Sequence, residues 1–183
     1  MTSFANPAGN AGAAAPAYVR ALLEFLGDRD PLEVAADQMA WLERRTAGLS
    51  DAVLRRPEAP GKWSVVQVIQ HLADTEVVYA WRTRQILCED RPAIQGYDQD
   101  VWARVLVYAE ADLGVAMAQL GGARTANLRL WRSLTPAERA RVGLHSERGP
   151  ETLDLLIRMM GAHDLVHRRQ IDRALASAGV ASR

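Results

Sequence analysis

The sequence predicts an all-α protein, a four-helix bundle with short additional helices, on three observations. Four long stretches repeat apolar residues at helical spacing, three of them begin at a capping residue or a proline, and no segment alternates apolar and polar residues long enough to make a strand. At 183 residues, 49% of them hydrophobic and 24% charged, the chain can bury one core and is too short to need two. One domain is therefore expected over residues 16–183.

Residues 1–15 (MTSFANPAGNAGAAA) offer little to bury and are expected to form a disordered tail. A short helix over Pro16–Leu26 follows. Asp30 and Pro31 then mark a helix start, the acid capping free N–H groups and the proline sitting where no N–H is needed. Leu32, Ala36, Met39 and Leu42 carry that helix to about Ala47. Ser50 caps one short turn before the breaker segment PEAPGK. The second long helix runs from Ser64 to about Cys88, with Val65, Val68, Ile69, Leu72, Tyr79, Ile86 and Leu87 along one broad stripe. EDRPAIQGYDQD ends it, and a short helix over Asp98–Val107 is anchored by Trp102.

The third long helix contains Gly121 and Gly122, each costing about 1 kcal/mol against alanine. Leu113, Met117 and Leu120 nevertheless hold the same phase as Leu128, Trp131 and Leu134, which predicts one helix. The segment TPAERARVGLHSERG reads as a polar loop, and Pro150 as the first residue of a last helix reaching about Ser177. Trp63, Trp81, Trp102 and Trp131 all read as core anchors.

Charge and cysteine usage exclude several classes. Lysine plus arginine and aspartate plus glutamate both number 22, so no net field draws the chain to nucleic acid or an anionic membrane. Cys88 stands alone, which excludes a disulfide scaffold and leaves nitrogen and oxygen as the donors for any metal. No apolar run approaches membrane-span length and no signal-peptide pattern opens the chain, so a cytoplasmic protein is expected.

The chemistry concentrates in the last helix, where HDLVH places His163 and His167 one turn apart. At about 100° per residue both share a stripe with Leu156, Met160, Gln170 and Ala174. Asp154, Arg158, Asp164, Arg168, Arg169 and Asp172 fall on the opposite face and are expected to meet solvent. Two imidazoles at i and i+4 can converge on one cation. The bland alternative is a pair of core histidines hydrogen-bonded to neighbours, and spacing alone leaves both open. His71, at the polar edge of its own stripe with Ser64, Asp74, Thr75 and Arg82, is the natural third ligand. Three imidazoles would leave a coordination position open, as in catalytic sites.

Three segments, GKWSVVQVIQHLADTE at 61–76, IQGYDQDVWA at 94–103 and HSERGPETL through HDLVHRRQI at 145–171, carry a resemblance. In that order and spacing the chain resembles the DinB-like superfamily, in the branch of YfiT-like metal-dependent hydrolases and bacillithiol transferases. The resemblance implies a bundle of unusual connection order and a divalent metal, nickel or zinc, held by His71, His163 and His167. It further implies transfer of a low-molecular-weight thiol of the bacillithiol, mycothiol or glutathione type to a small electrophile, with a metal-dependent hydrolase or a non-catalytic metal-binding stress protein as alternatives. Under that reading Asp74 orients a ligand or takes a proton, unless it is a solvated helix acid, and Arg82 holds the carboxylate of a thiol cofactor. His145 reads as an exposed loop histidine or a residue at the pocket mouth, and Cys88 as inert. The partners are small molecules, and a homodimer stays open as the assembly.

Overall fold

The structure, a computed structural model, describes residues 11–181. Eight α-helices occur among these residues: α1 (Ala11–Leu26), α2 (Pro31–Thr46), α3 (Asp51–Leu54), α4 (Val65–Cys88), α5 (Gln99–Val105), α6 (Leu113–Ser133), α7 (Pro136–Arg139) and α8 (Leu153–Ser177). Of the five long ones, α2, α4, α6 and α8 form the bundle. Both α2 and α4 make their main contacts with α6 and α8, so the ring order is α2–α6–α4–α8 and α1 lies outside, against α8. No described helix is long and apolar enough to cross a membrane.

The caps act where the residue types place them. Asp30 accepts from the Leu32 N–H, with Pro31 at the first helical position. Ser64 and Gln67 form a reciprocal capping box at the start of α4, and Ser50 caps α3. Helix α6 passes Gly121 and Gly122 without a break. Gly121 faces Met39 of α2, whose Cε would lie 3.4 Å from an added Cβ.

Four expectations need correction. Helix α1 begins at Ala11, five residues before Pro16, which stands inside it; residues 1–10 of the expected tail lie outside the described residues. The expected polar loop holds the short helix α7 and strand β2 (Val142–His145), which forms a three-stranded sheet with β1 (Ala93–Ile94), from the breaker after α4, and β3 (Gly149–Thr152), β1 pairing parallel and β3 antiparallel with β2. Strands of two to four residues are too short to show a period of two. Pro150 belongs to the outer strand β3, where a missing N–H is tolerated, and Thr152 caps α8 instead, accepting from the Leu155 N–H. Of the tryptophans, Trp131 is fully buried but Trp81 is 62% exposed, and Trp102 is half-buried against Tyr97 rather than a core anchor.

The core is divided. One apolar cluster contains Leu42, Val65, Ile69, Leu72, Leu120 and Ile171, a second Ala35, Tyr79, Leu128, Trp131, Leu156 and Met160, and a third, with Leu22, Leu26, Val34, Met159 and Leu165, joins α1 to α2 and α8. Between the first two every bundle helix contributes buried polar residues, among them Gln38, Glu76, Arg124, Asn127 and Asp164. Asp164 is thus 0% exposed and paired with Arg124, against the expectation that it meets solvent. A single-helix wheel separates polar from apolar faces and cannot tell that a polar face meets a buried arginine. The other charged residues of that α8 face range from half-buried to exposed.

Close approach of α2 to α8 depends on Gly161. A Cβ there would lie 2.8 Å from Pro31 Cα and 3.0 Å from its carbonyl oxygen, so backbone must move. Gly161→Ala is expected to lower unfolding free energy by about 1–3 kcal/mol in urea titrations, despite alanine's better helix propensity.

Candidate metal centre

The ligands stand on well-anchored helices. The capping box sets the start of α4 and His71 follows two turns on; Thr152 sets the start of α8, which runs unbroken through His163 and His167. His71 and His167 are buried and His163 is half-buried. The Nε2 atoms of His71 and His163 lie 3.1 Å apart, and those of His163 and His167 3.0 Å apart. Neighbouring Trp63 packs its ring 5.1 Å from that of His71.

All three rings are held neutral. Burial pushes His71 and His163 well below the usual histidine range, and the neighbouring imidazoles add to this. Burial brings His167 down to about 4, with the Gln170 hydrogen bond opposing and Arg173 assisting. The Nδ1–H of His167 donates to Gln170 Oε1 at 2.8 Å, which fixes the tautomer and leaves the Nε2 lone pair for the centre. The Nδ1 atoms of His71 and His163 are buried without a partner, so only His167 has its tautomer fixed by a hydrogen bond.

The donor set fits a divalent cation. One proton on His163 Nε2 cannot serve both neighbouring nitrogens, whereas a central cation satisfies three lone pairs together. Metal–imidazole bonds of about 2.0–2.1 Å put ligating nitrogens roughly 2.9–3.4 Å apart for angles between octahedral and tetrahedral. The His71–His163 and His163–His167 separations of 3.1 and 3.0 Å fall in that interval, and the ligand nitrogens of all three rings lie within 4.8 Å of one another.

A cavity of about 70 Å³ adjoins the centre, with His71, His163, Thr75, Tyr97, Arg82 and His145 in its wall. The Thr75 hydroxyl bonds Tyr97 Oη at 2.9 Å. Arg82 is 5% exposed; its Nη2 donates to the Gln95 carbonyl at 2.7 Å and its guanidinium lies over the Tyr79 and Tyr97 rings. Asp74 is placed elsewhere. Its carboxylate accepts from Tyr108 Oη at 2.6 Å, Gln119 Nε2 at 3.0 Å and Gln70 Nε2 at 3.2 Å, and it is absent from the cavity wall.

His145 corrects the reading of an exposed loop histidine. It ends strand β2, is 4% exposed, and its Nδ1 accepts from the Glu147 N–H at 3.1 Å. Burial, helped by Arg148 and Arg82, brings it down to about 3. The sequence holds no signal for this placement, because the strand that buries it spans four residues. Gln170 was visible on the inward stripe, but its bond to His167 depends on rotamers that a wheel does not show. Cys88 is exposed at the end of α4.

Two outcomes follow from these contacts. Gln170→Leu should weaken divalent-metal affinity about 10–100-fold in competition titrations while leaving the fold intact, because it releases the His167 ring. For His145 the folded value lies below the unfolded one, so the unfolded chain takes up its proton first. Its contribution is complete above about pH 6.5 and is lost as pH falls toward 3. Metal-free wild type should therefore lose about 1.4 kcal/mol per pH unit more than His145→Gln between about pH 6 and 4, measured by urea unfolding. Using the difference cancels the opposing contribution of Glu76 and Asp164, whose values burial raises.

Comparison with known proteins agrees with this geometry. A family model described as the DinB superfamily matches residues 36–171. A Geobacillus thermodenitrificans protein named "Putative metal-dependent hydrolase" is 33% identical over 97 residues, 53% of this chain and 54% of that relative, so the match spans about half of its length. "Putative metal-dependent hydrolase YfiT" of Bacillus subtilis is 30% identical over 128 residues, 68% of each chain. A solved structure of Bacillus subtilis YfiT, described as "a probable metal-dependent hydrolase with an unusual four-helix bundle topology", superposes with a TM-score of 0.76 at 26% identity, covering 82% of this chain and 87% of that one. The matched span runs from within α2 to the last turns of α8 and includes all three centre histidines, and the chain belongs to the DinB superfamily.

Proposed function

We propose that this protein is a divalent-metal-dependent enzyme that transfers a low-molecular-weight thiol to a small electrophile. The observation that carries the reading is the convergence of three neutral imidazoles beside a polar cavity. Nickel or zinc suits an all-imidazole donor set, and three protein ligands leave room for an outside molecule. Once bound, such an ion supplies Lewis acidity that lowers the pKa of a thiol or water in contact with it. The chain's own part is binding and orientation. Gln170 fixes His167, and Thr75 and Tyr97 supply hydroxyls to the cavity beside His71. A cytoplasmic setting, rich in reduced thiols, is part of this reading.

A second reading, a hydrolase that activates water in the same position, is favoured by the names of the relatives. The test begins with protein purified without a histidine tag. Metal analysis should find one divalent ion per chain in wild type and little in His163→Ala. Bacillithiol, mycothiol and glutathione are then each offered with a panel of electrophiles. Conjugation that falls by more than about 100-fold in His163→Ala supports thiol transfer, since losing a ligand should cost more than losing an outer hydrogen bond. Turnover of ester or amide substrates without thiol would replace it with hydrolysis, and metal uptake with neither reaction would leave a non-catalytic binding protein.

A further inference from the structure

Two groups in the cavity wall have donor capacity that the protein does not use: a guanidinium with no counter-ion and an imidazole N–H with no acceptor. Arg82 is 5% exposed, uses one N–H on the Gln95 carbonyl, and forms no ion pair among the described residues. A guanidinium offers five N–H donors and no acceptor, and a buried charge without a counter-ion is costly. His145 is the second. Because its Nδ1 accepts from the Glu147 N–H, the neutral ring carries its proton on Nε2, and that atom is buried with no partner.

The small sheet sets these donors side by side. Ile94 of β1 is in register with His145 of β2, and the next residue, Gln95, holds Arg82. The remaining charges of the wall do not satisfy them. Arg148 is paired with Glu151, by Nη2 at 2.9 Å among other contacts, and Glu147, the one carboxylate in the wall among the described residues, makes no ion pair with Arg82.

We propose that Arg82 and His145 form a subsite for the carboxylate of a small reactant, beside the three-imidazole centre. The planar fork of Arg82 matches the two oxygens of a carboxylate, and His145 adds a neutral donor. The cavity of about 70 Å³ has room for a group of that size. The subsite deepens the metal-enzyme reading and rests on it for the meaning of its position. The carboxylate belongs either to the thiol or to the electrophile, and the chemistry that holds it is the same.

The test is a calorimetric titration of wild type, Arg82→Gln, Arg82→Lys and His145→Phe with propionate, 3-mercaptopropionate and 2-mercaptoethanol, each in metal-loaded and metal-free protein. Propionate should bind wild type and weaken about tenfold or more in Arg82→Gln, with Arg82→Lys between and metal stoichiometry unchanged. If 3-mercaptopropionate outbinds 2-mercaptoethanol by a margin that vanishes in Arg82→Gln, the subsite serves the thiol. If the two thiols bind alike while propionate still depends on Arg82, it serves the electrophile. Should Arg82→Gln fail to fold, the ¹⁵N resonance of His145 Nε2 in wild type must move on adding propionate. Equal propionate affinity in wild type and folded Arg82→Gln, or an unmoved His145 resonance at saturation, overturns the subsite. A wild type that takes up no metal would instead overturn the centre, and the metal-free titration still judges the subsite.

Discussion

The bundle depends on one guanidinium. Arg124 of α6 donates to Glu76 of α4 at 2.8 Å, to both oxygens of Asp164 of α8, and to the Ala35 carbonyl of α2 at 2.9 Å. All four long helices therefore meet at a single side chain that is 2% exposed. Asn127 completes the network by donating to Glu76 Oε1 at 2.7 Å. A buried charge cluster of this kind contributes little net stability compared with apolar packing, but every alternative register leaves charges unpaired in a low dielectric. Its effect is to select one arrangement of helices over others.

That selection reaches the metal centre through the chain itself. His163 precedes Asp164 in sequence, so the turn of α8 that is clamped to Arg124 also aims an imidazole at His71. The apolar clusters above and below supply the driving force, and the polar layer between them supplies the register. The contact of Gly161 with Pro31 brings α2 close enough for its Ala35 carbonyl to join the network. Ligand geometry is thus a property of the whole bundle cross-section and not of a loop.

Much of this was readable in the residues. Asp30 with Pro31 and Ser64 with Gln67 announce helix starts by chemistry that acts within a few residues, and His163 and His167 share an inward stripe on any wheel. What stayed hidden depends on partners far along the chain. Asp164 looks like a surface acid until Arg124, forty residues upstream, is brought beside it. His145 looks like a loop residue until β1, some fifty residues upstream, pairs with its strand. Pro150 is compatible with a helix start and with an edge strand, and only the Thr152 cap decides.

The separation of the clamp from the three histidines has a consequence for how the bundle would handle an ion. The cross-section is tied together by Arg124, Glu76 and Asp164, none of which belongs to the imidazole trio. An ion bound there could therefore leave without the architecture being rebuilt, and a different one could take its place. Which element such a centre would hold is then governed by competition among the ions supplied to it and their intrinsic preference for nitrogen donors, a matter of exchange equilibrium and not of refolding.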